Sequence, residues 1–513
     1  MPEFFDYIIV GTGAGGGTLV HKLKDSGKKI LVLERGEFLK REPENWDTRS
    51  VFKEQRYHTH EVWKTDQDKD FHPQTGYFVG GNTKVYGAAL FRLREKDFEE
   101  LVHHDGISPK WPLSYADFES YYTEAEKLYF VHGKQGDDIT EPHRSQDYFF
   151  PPVSHEPRIQ ELHDKLKAYG LHPFCLPIGI NLNEKDPVNS PCIRCNTCDG
   201  FPCLVEAKAD ADMIGIRPNM NNSSIQLITG AKVTRLLTDE SGTKVIAVEV
   251  ERNGALEQYH GDKIVLSAGA INSAAILLRS VTDKHLNGLG NSSGLVGKNL
   301  MKHNNAAMLA ISTKYNPTKF QKTMALNDFY FGDEDFHFPM GHVQLLGKSN
   351  KEMLTEDAPF FTPGLVLEEM ASHSVDWWFT GEDLPDPNNG IEIIQDTIHI
   401  HYTPNNRTGF ERLMDKWKHI LNQVDENAHL IPHGVYLGKI IGNEGLAHQV
   451  GTLRFGTDPK TSVLDTNCKL HDVDNVYVVD GSFFPSSGAV NPSLTIIANA
   501  LRIGDYFLKQ ASQ

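Results

Sequence analysis

The stretch from Phe5 to Gly36 constrains this chain more than any other. It reads as an apolar strand to Val10, the turn Gly11-Thr12-Gly13-Ala14-Gly15-Gly16, a helical run to Leu23, and a second apolar run, Ile30 to Leu33, ending in Glu34. Strand, glycine turn, helix, strand and acid in this order open a dinucleotide-binding α/β unit. Gly11 allows the tight turn, Gly13 lets backbone approach a pyrophosphate, and Gly16 lets the helix lie close on the sheet. Ala14 and Gly15 sit at the helix N-terminus, whose free N–H groups and positive dipole end suit a phosphate. Glu34, 18 residues past Gly16, is placed to hydrogen-bond a ribose diol. The motif alone does not choose between FAD and NAD.

A chain of 513 residues exceeds one ordinary domain, so two domains are expected. Its net charge of −17 argues against nucleic acid and anionic membranes as partners, because both need a basic footprint. No run of 18 apolar residues is present, so no membrane-spanning helix is expected. The first strand begins by about residue 5 with no charged-then-apolar leader before it, which gives a cytoplasmic expectation. The sequence is compatible with a homo-oligomer and sets no stoichiometry.

Further along, Gly80-Gly81-Asn82-Thr83-Lys84-Val85-Tyr86-Gly87 pairs glycines with small and hydroxyl residues, a composition for backbone that hugs a flat ligand or simply turns before a helix. Residues 95–170 read as mostly helical, with Ser114 and Asp117 as a variant capping box and a second helix over 151–171. Cys192, Cys195, Cys198 and Cys203 are spaced for a metal or cluster, for two disulfides, or for a reduced loop. No second Cys-x-x-Cys completes a zinc ribbon, and no metal ligand set is assigned. Lys244–Val250 pairs with Leu256–Tyr259 across Asn253-Gly254, a hairpin signal. Lys263–Ser267, Ala268-Gly269-Ala270 and a helix to Leu278 repeat the strand–small turn–helix pattern. From Asn304 to about Ile441 strand-like stretches rich in aromatics and histidines (306–312, 337–346, 397–402) predict a separate antiparallel sheet with helices. Val476–Val479 is a buried strand ending in Asp480-Gly481, and Asn491-Pro492-Ser493 opens a helix to about Leu508, with Pro492 near its first turn.

Taken together, the Gly11–Gly16 turn with Glu34, the Gly80–Gly87 segment, Ala268-Gly269-Ala270, His448-x-x-Gly451-Thr452, Asp480-Gly481 and Asn491-Pro492 resemble, in order and along the whole chain, the glucose–methanol–choline family of FAD oxidoreductases. The resemblance implies a Rossmann-like FAD-binding domain (1–95, 205–303 and 442–513), connecting segments with the cysteine-rich loop (96–204), and an interleaved α+β substrate domain on an antiparallel sheet (304–441). It implies that Glu34 binds the adenosine ribose and that the Val233 backbone meets the adenine. Gly80, Gly81, Asn82 and Thr83 would line the pyrophosphate and isoalloxazine, with Ala268 at a second turn. Asp480 and Gly481 would run along the ribityl–phosphate region, and Asn491, Pro492 and Ser493 would flank the flavin pyrimidine under the last helix. His448 and Asn491 match the family's catalytic pair. An imidazole accepts an alcohol proton near neutral pH, while an amide orients the same oxygen without changing charge.

Some relatives hold FAD covalently through a histidine in the segment matching Gly80–Tyr86. None occurs there, so the FAD is expected to be non-covalent. The segment from Cys192 to Ala209 is similar to that of bacterial pyranose oxidase and glycoside 3-oxidase relatives. The expected reaction is oxidation of a secondary alcohol of a sugar or glycoside, at C3 or C2 of a pyranose, with O2 or a quinone as electron acceptor. His337, Gln344, Trp377, His399 and His401 favour a sugar over an aliphatic or cyclic alcohol, the alternative substrate class.

Overall fold

The computed structural model describes residues 3–357, 363–424, 435–440 and 448–511. At its centre, five parallel strands lie in the order 225–228, 30–33, 4–10, 255–266, 476–478. Their apolar runs are buried on both faces, as parallel strands covered by helices must be; Ile30–Leu33 is at most 1% exposed. The strand Ala255–Leu266 does double duty. Its second half pairs parallel with Phe4–Val10, and its first half pairs antiparallel with Val245–Arg252, which in turn pairs with Lys232–Thr238. The expected hairpin turn is present: Asn253 (φ 51°) and Gly254 (φ 76°) are both left-handed, the type I′ geometry whose twist matches the flanking strands.

Helices cover this sheet. Ala14–Leu23 follows the first strand, Ala270–Arg279 follows the long one, and Ser493–Ala511 follows the last. The helix at Tyr115–Leu128 starts at the expected capping box, with Ser114 N donating to Asp117 Oδ2 at 2.8 Å. The rest of 95–170 is less helical than its composition suggests: beyond this helix and Pro157–Ala168 it consists of turns, a 3₁₀ turn and two-residue strands.

A second sheet is antiparallel throughout, in the order 435–440, 304–311, 374–381, 342–345, 324–326, 174–175. Helices Pro157–Ala168 and Arg407–Val424 cover it and share its own apolar core, where Trp377 and Trp417 meet edge to face at 4.8 Å. The chain is thus a Rossmann-like α/β unit interleaved with an α+β unit on an antiparallel sheet. One stretch expected in that second sheet lies elsewhere. Thr397–His401 pairs with Gly390–Ile394 and, in parallel, with Trp63–Thr65 in a small separate sheet that a bridge from Lys298 to Gly390 ties to the first unit. Alternation identifies a strand but not its partner, and the charged Lys64 hid the third strand. The expected boundary between 441 and 442 lies outside the described residues.

Candidate active site

A cavity of about 460 Å³ runs between the two units, along the carboxyl ends of the parallel strands, where open α/β sheets bind ligands. One wall is the first glycine turn. Gly11 has φ 96°, and a Cβ on it would strike the Ser267 carbonyl; one on Gly15 would strike the Val479 carbonyl, and one on Gly16 the Gly11 carbonyl. These glycines therefore serve protein packing. Gly13 differs: nothing lies within 4 Å of where its Cβ would stand, and it caps a helix that has no side-chain cap. Open space beside unfilled N–H groups fits a pyrophosphate. Gly81 (φ 55°) backs onto this turn, its would-be Cβ 3.1 Å from Gly13 Cα.

The Gly81–Lys84 3₁₀ turn is anchored from behind. Thr83 Oγ1 donates to the Gly80 carbonyl and accepts from Ala211 N at 2.9 Å. Buried Lys84 pairs with Asp210 and Asp212 at 3.0 Å each. Asn82 Oδ1 accepts from Gly76 N at 3.1 Å. The turn is thus held rigid where it meets the cavity.

At the end expected to hold adenosine, Glu34 and Val233 line the cavity. Glu34 is 5% exposed; Oε2 accepts from Thr12 N at 3.0 Å and Oε1 from Gly36 N at 2.9 Å. Burial raises its pKa, against these hydrogen bonds. Next to it is a group the sequence did not reveal. The Arg35 guanidinium stacks on Tyr77, 3.6 Å from the ring centre, and pairs with Glu61 at 3.3 Å.

Further along the cavity, Asp480 acts as a clamp. Oδ2 accepts from Gly269 N at 3.1 Å and from Ser273 Oγ at 2.5 Å, while Oδ1 accepts from Ser482 N at 2.9 Å and from its hydroxyl. It joins the last strand to the start of the 270–279 helix. Ala268 and Gly481 line the cavity beside it, and Asn491, Pro492 and Ser493 bring the N-terminus of the last helix to its end. Gly16 and Gly80, both expected cofactor contacts, lie behind the lining; Gly16 packs on Gly11 and Gly80 forms the left-handed turn (φ 98°) before Gly81.

His448 and Asn491 meet at this end, with His448 Nε2 3.3 Å from Asn491 Nδ2. The His448 segment is fixed by the backbone pair Val450–Met301 and by Gly451 N donating to the Gly481 carbonyl at 3.1 Å. Thr452 Oγ1 donates to the Ala270 carbonyl at 2.7 Å. Asn491 Oδ1 is buried with no hydrogen-bond partner, a cost a native site accepts where a ligand will answer it. Burial drives the His448 pKa well below the ordinary imidazole value, and His303 and the Lys322 ammonium push the same way. The ring is therefore neutral at physiological pH.

The opposite wall comes from the antiparallel sheet and the cysteine-rich loop. Gln344 and Trp378 are cross-strand partners that both line the cavity. Lys322 Nζ pairs with Asp199 Oδ2 at 2.9 Å. Burial alone would raise the Asp199 pKa, but the Lys322 charge and hydrogen bonds outweigh it and leave the carboxyl below its ordinary value. Of the side chains expected to favour a sugar, Gln344 is at the cavity. Trp377 is not: strand alternation turns it into the second core, fully buried, and presents Trp378 instead. His337, His399 and His401 are also away from the cavity lining. All six cysteines are unpaired, and no group of three ligand side chains suited to a metal occurs among the described residues. Burial raises the Cys192 thiol to about 11 and Cys198 to about 12, so both stay protonated at neutral pH.

The family description "GMC oxidoreductase" matches this chain in two parts, an N-terminal part over residues 5–305 and a C-terminal part over 392–500. The 6'''-hydroxyparomomycin C oxidase of Streptomyces lividus is 30% identical over 97% of this chain and 90% of its own length. The paromamine 6'-oxidase of Streptomyces fradiae is 28% identical over the same shares. Among solved structures, a pyridoxine 4-oxidase from Mesorbium loti superposes with a TM-score of 0.68 at 17% identity, covering 98% of this chain and 99% of that one. With a cleft along the carboxyl ends of the parallel strands, a glycine turn left open at Gly13, and family matches across both units, the chain belongs to the GMC oxidoreductases and is an FAD-binding enzyme that oxidises CH–OH groups.

Proposed function

We propose that this enzyme oxidises an alcohol carbon of a sugar or glycoside, with His448 as the base that takes the hydroxyl proton. The observation that carries this reading is the His448–Asn491 pair at 3.3 Å, with Asn491 Oδ1 buried and unanswered at the end of the cavity. FAD, when bound there, supplies the hydride acceptor. The substrate hydroxyl donates to neutral His448 Nε2 while Asn491 holds the same oxygen, and both residues exclude water from the reacting carbon. The N-terminus of the 493–511 helix adds a positive dipole end beside the ring site. Lys322, Asp199 and Gln344 offer donors and acceptors to further hydroxyls, and Trp378 offers a flat face to a pyranose, a wall that suits a polyol better than an aliphatic chain. In this reading the segments 1–95, 205–303 and 442–513 hold FAD and 304–441 supplies the substrate wall, except that 390–401 packs with the first unit. The absence of a histidine from Asn82–Tyr86 supports non-covalent FAD.

A ring position, C3 or C2, gives a ketone. The Streptomyces relatives are named for positions 6' and 6''', and this favours a second reading in which the reacting carbon is at position 6 of a sugar. An anaerobic bleaching screen with D-glucose, methyl α-D-glucopyranoside, paromamine and cyclohexanol tests both, with the product carbon assigned by NMR and re-oxidation compared in air and with a quinone. Bleaching by cyclohexanol and by none of the sugars overturns the sugar reading.

A further inference from the structure

His448 has a second partner on the side away from Asn491. His303 Nδ1 lies 3.0 Å from His448 Nδ1, the rings meeting nearly at right angles (86°). The other nitrogen of His303, Nε2, lies 3.2 Å from the Ser487 carbonyl oxygen. A backbone carbonyl only accepts, so His303 carries its proton on Nε2. Burial of the ring at 2% exposure disfavours a second proton, and its Nδ1 is then a bare acceptor. The Nδ1–Nδ1 contact needs one hydrogen, which must be on His448. The protons of both imidazoles are thus fixed by one carbonyl oxygen, that of Ser487.

The mount of His303 is built with unusual care. Its backbone is left-handed (φ 65°), which is costly for a residue with a Cβ. Asp383 holds that conformation by accepting from His303 N at 2.9 Å and Lys302 N at 2.8 Å, and is itself fixed by the Tyr402 hydroxyl at 2.7 Å and Ser487 Oγ at 3.2 Å. The other charged group facing His303, Glu382, is occupied by His103 at 3.1 Å and by Ser108. On the cavity side, His448 faces the Lys322 cation.

We propose that His303 is a positioning residue for the base: by accepting the His448 Nδ1–H it fixes the tautomer in which His448 Nε2 is unprotonated toward the substrate. This rests on the reading of His448 as base. In the step it serves, the substrate O–H bond breaks, its electron pair stays on oxygen, and the proton forms the Nε2–H bond of His448. The imidazolium keeps its Nδ1–H on His303, whose neighbour Asp383 favours the added charge. With His303 lost, the Nε2–H tautomer becomes accessible, and that tautomer cannot accept a proton from the substrate.

The test uses FAD-loaded protein labelled with ring-¹⁵N histidine. The His448 signals, identified by their absence in His448→Ala, are expected to show the Nδ1–H tautomer in the wild type and a mixture in His303→Leu. The rate of flavin reduction, read with the alcohol of the screen that bleaches fastest, falls about 10²-fold in His303→Leu with little change in substrate affinity. His303→Asn, which tolerates the left-handed backbone and restores an acceptor toward His448, regains at least tenfold. Within a His448→Ala background, His303→Leu costs nothing further. An Nε2–H tautomer in the wild type, or a wild-type rate in His303→Leu, overturns the proposal while leaving His448 as base. Full activity of His448→Ala would instead remove the base assignment itself.

Discussion

At the scale of single residues, the proposed chemistry depends on keeping His448 neutral. Replacing it with alanine is expected to slow flavin reduction by 10²–10⁴-fold with the visible spectrum of bound FAD intact; a near-normal rate would assign the base elsewhere. The pH dependence follows from the direction of its shift. A base works only unprotonated, and burial holds this imidazole well below the usual 6.5. The reduction rate should therefore stay level as pH falls through 6.5 and decline only below it, and a stopped-flow titration with a midpoint at or above 6.5 would contradict this. His448 and Asn491 were legible because each is embedded in a motif with a fixed offset. His303 was not: it follows Lys302 in a stretch with no pattern, and its role exists only through a contact with a residue 145 positions away. Asp199 and Lys322 escaped notice for the same reason, since neither means anything until the other is beside it.

At the scale of elements, the glycine turn shows how one motif divides its labour. A methyl at Gly13 meets only open space, whereas one at Gly15 collides with the Val479 carbonyl. Gly13→Ala is expected to leave apoprotein melting unchanged and to weaken FAD binding at least tenfold by fluorescence titration. Gly15→Ala should destabilise the apoprotein itself by about 1–3 kcal/mol; equal effects of the two on the apoprotein would refute the distinction. The sequence carried this element almost completely, because strand, turn and helix here are decided by local chemistry: apolar runs, positive φ and a helix start. It carried the 390–401 hairpin only by half. Alternation marked the strand Thr397–His401, but its neighbour Trp63–Thr65 lies more than three hundred residues upstream in an irregular, charged stretch, and pairing across that distance leaves no local trace.

At the scale of the whole molecule, the cavity is walled by segments from the first strand, the Gly81 turn, the cysteine-rich loop, both sheets and the last helix. In the proposed reading FAD occupies this cavity between units that also touch directly, as at Ser487 and Asp383, and saturating it at a hundred times its Kd should add about 2.7 kcal/mol of stability. Stripping it should lower Tm by several degrees in a thermal melt, and an unchanged Tm would mean that bound FAD adds nothing to the stability of the folded chain. The strand Val476–Val478 lies beside Ala255–Leu266 in the same sheet as Phe4–Val10, and the last helix ties back onto the first through Lys22 and Asp505 at 2.9 Å. On the ribosome this means that the glycine turn waits for partners made more than four hundred residues later. At ~5–20 residues per second the nascent chain spends roughly half a minute or more with that sheet edge uncovered, so the cleft is complete only once Val476–Val478 has been made and paired.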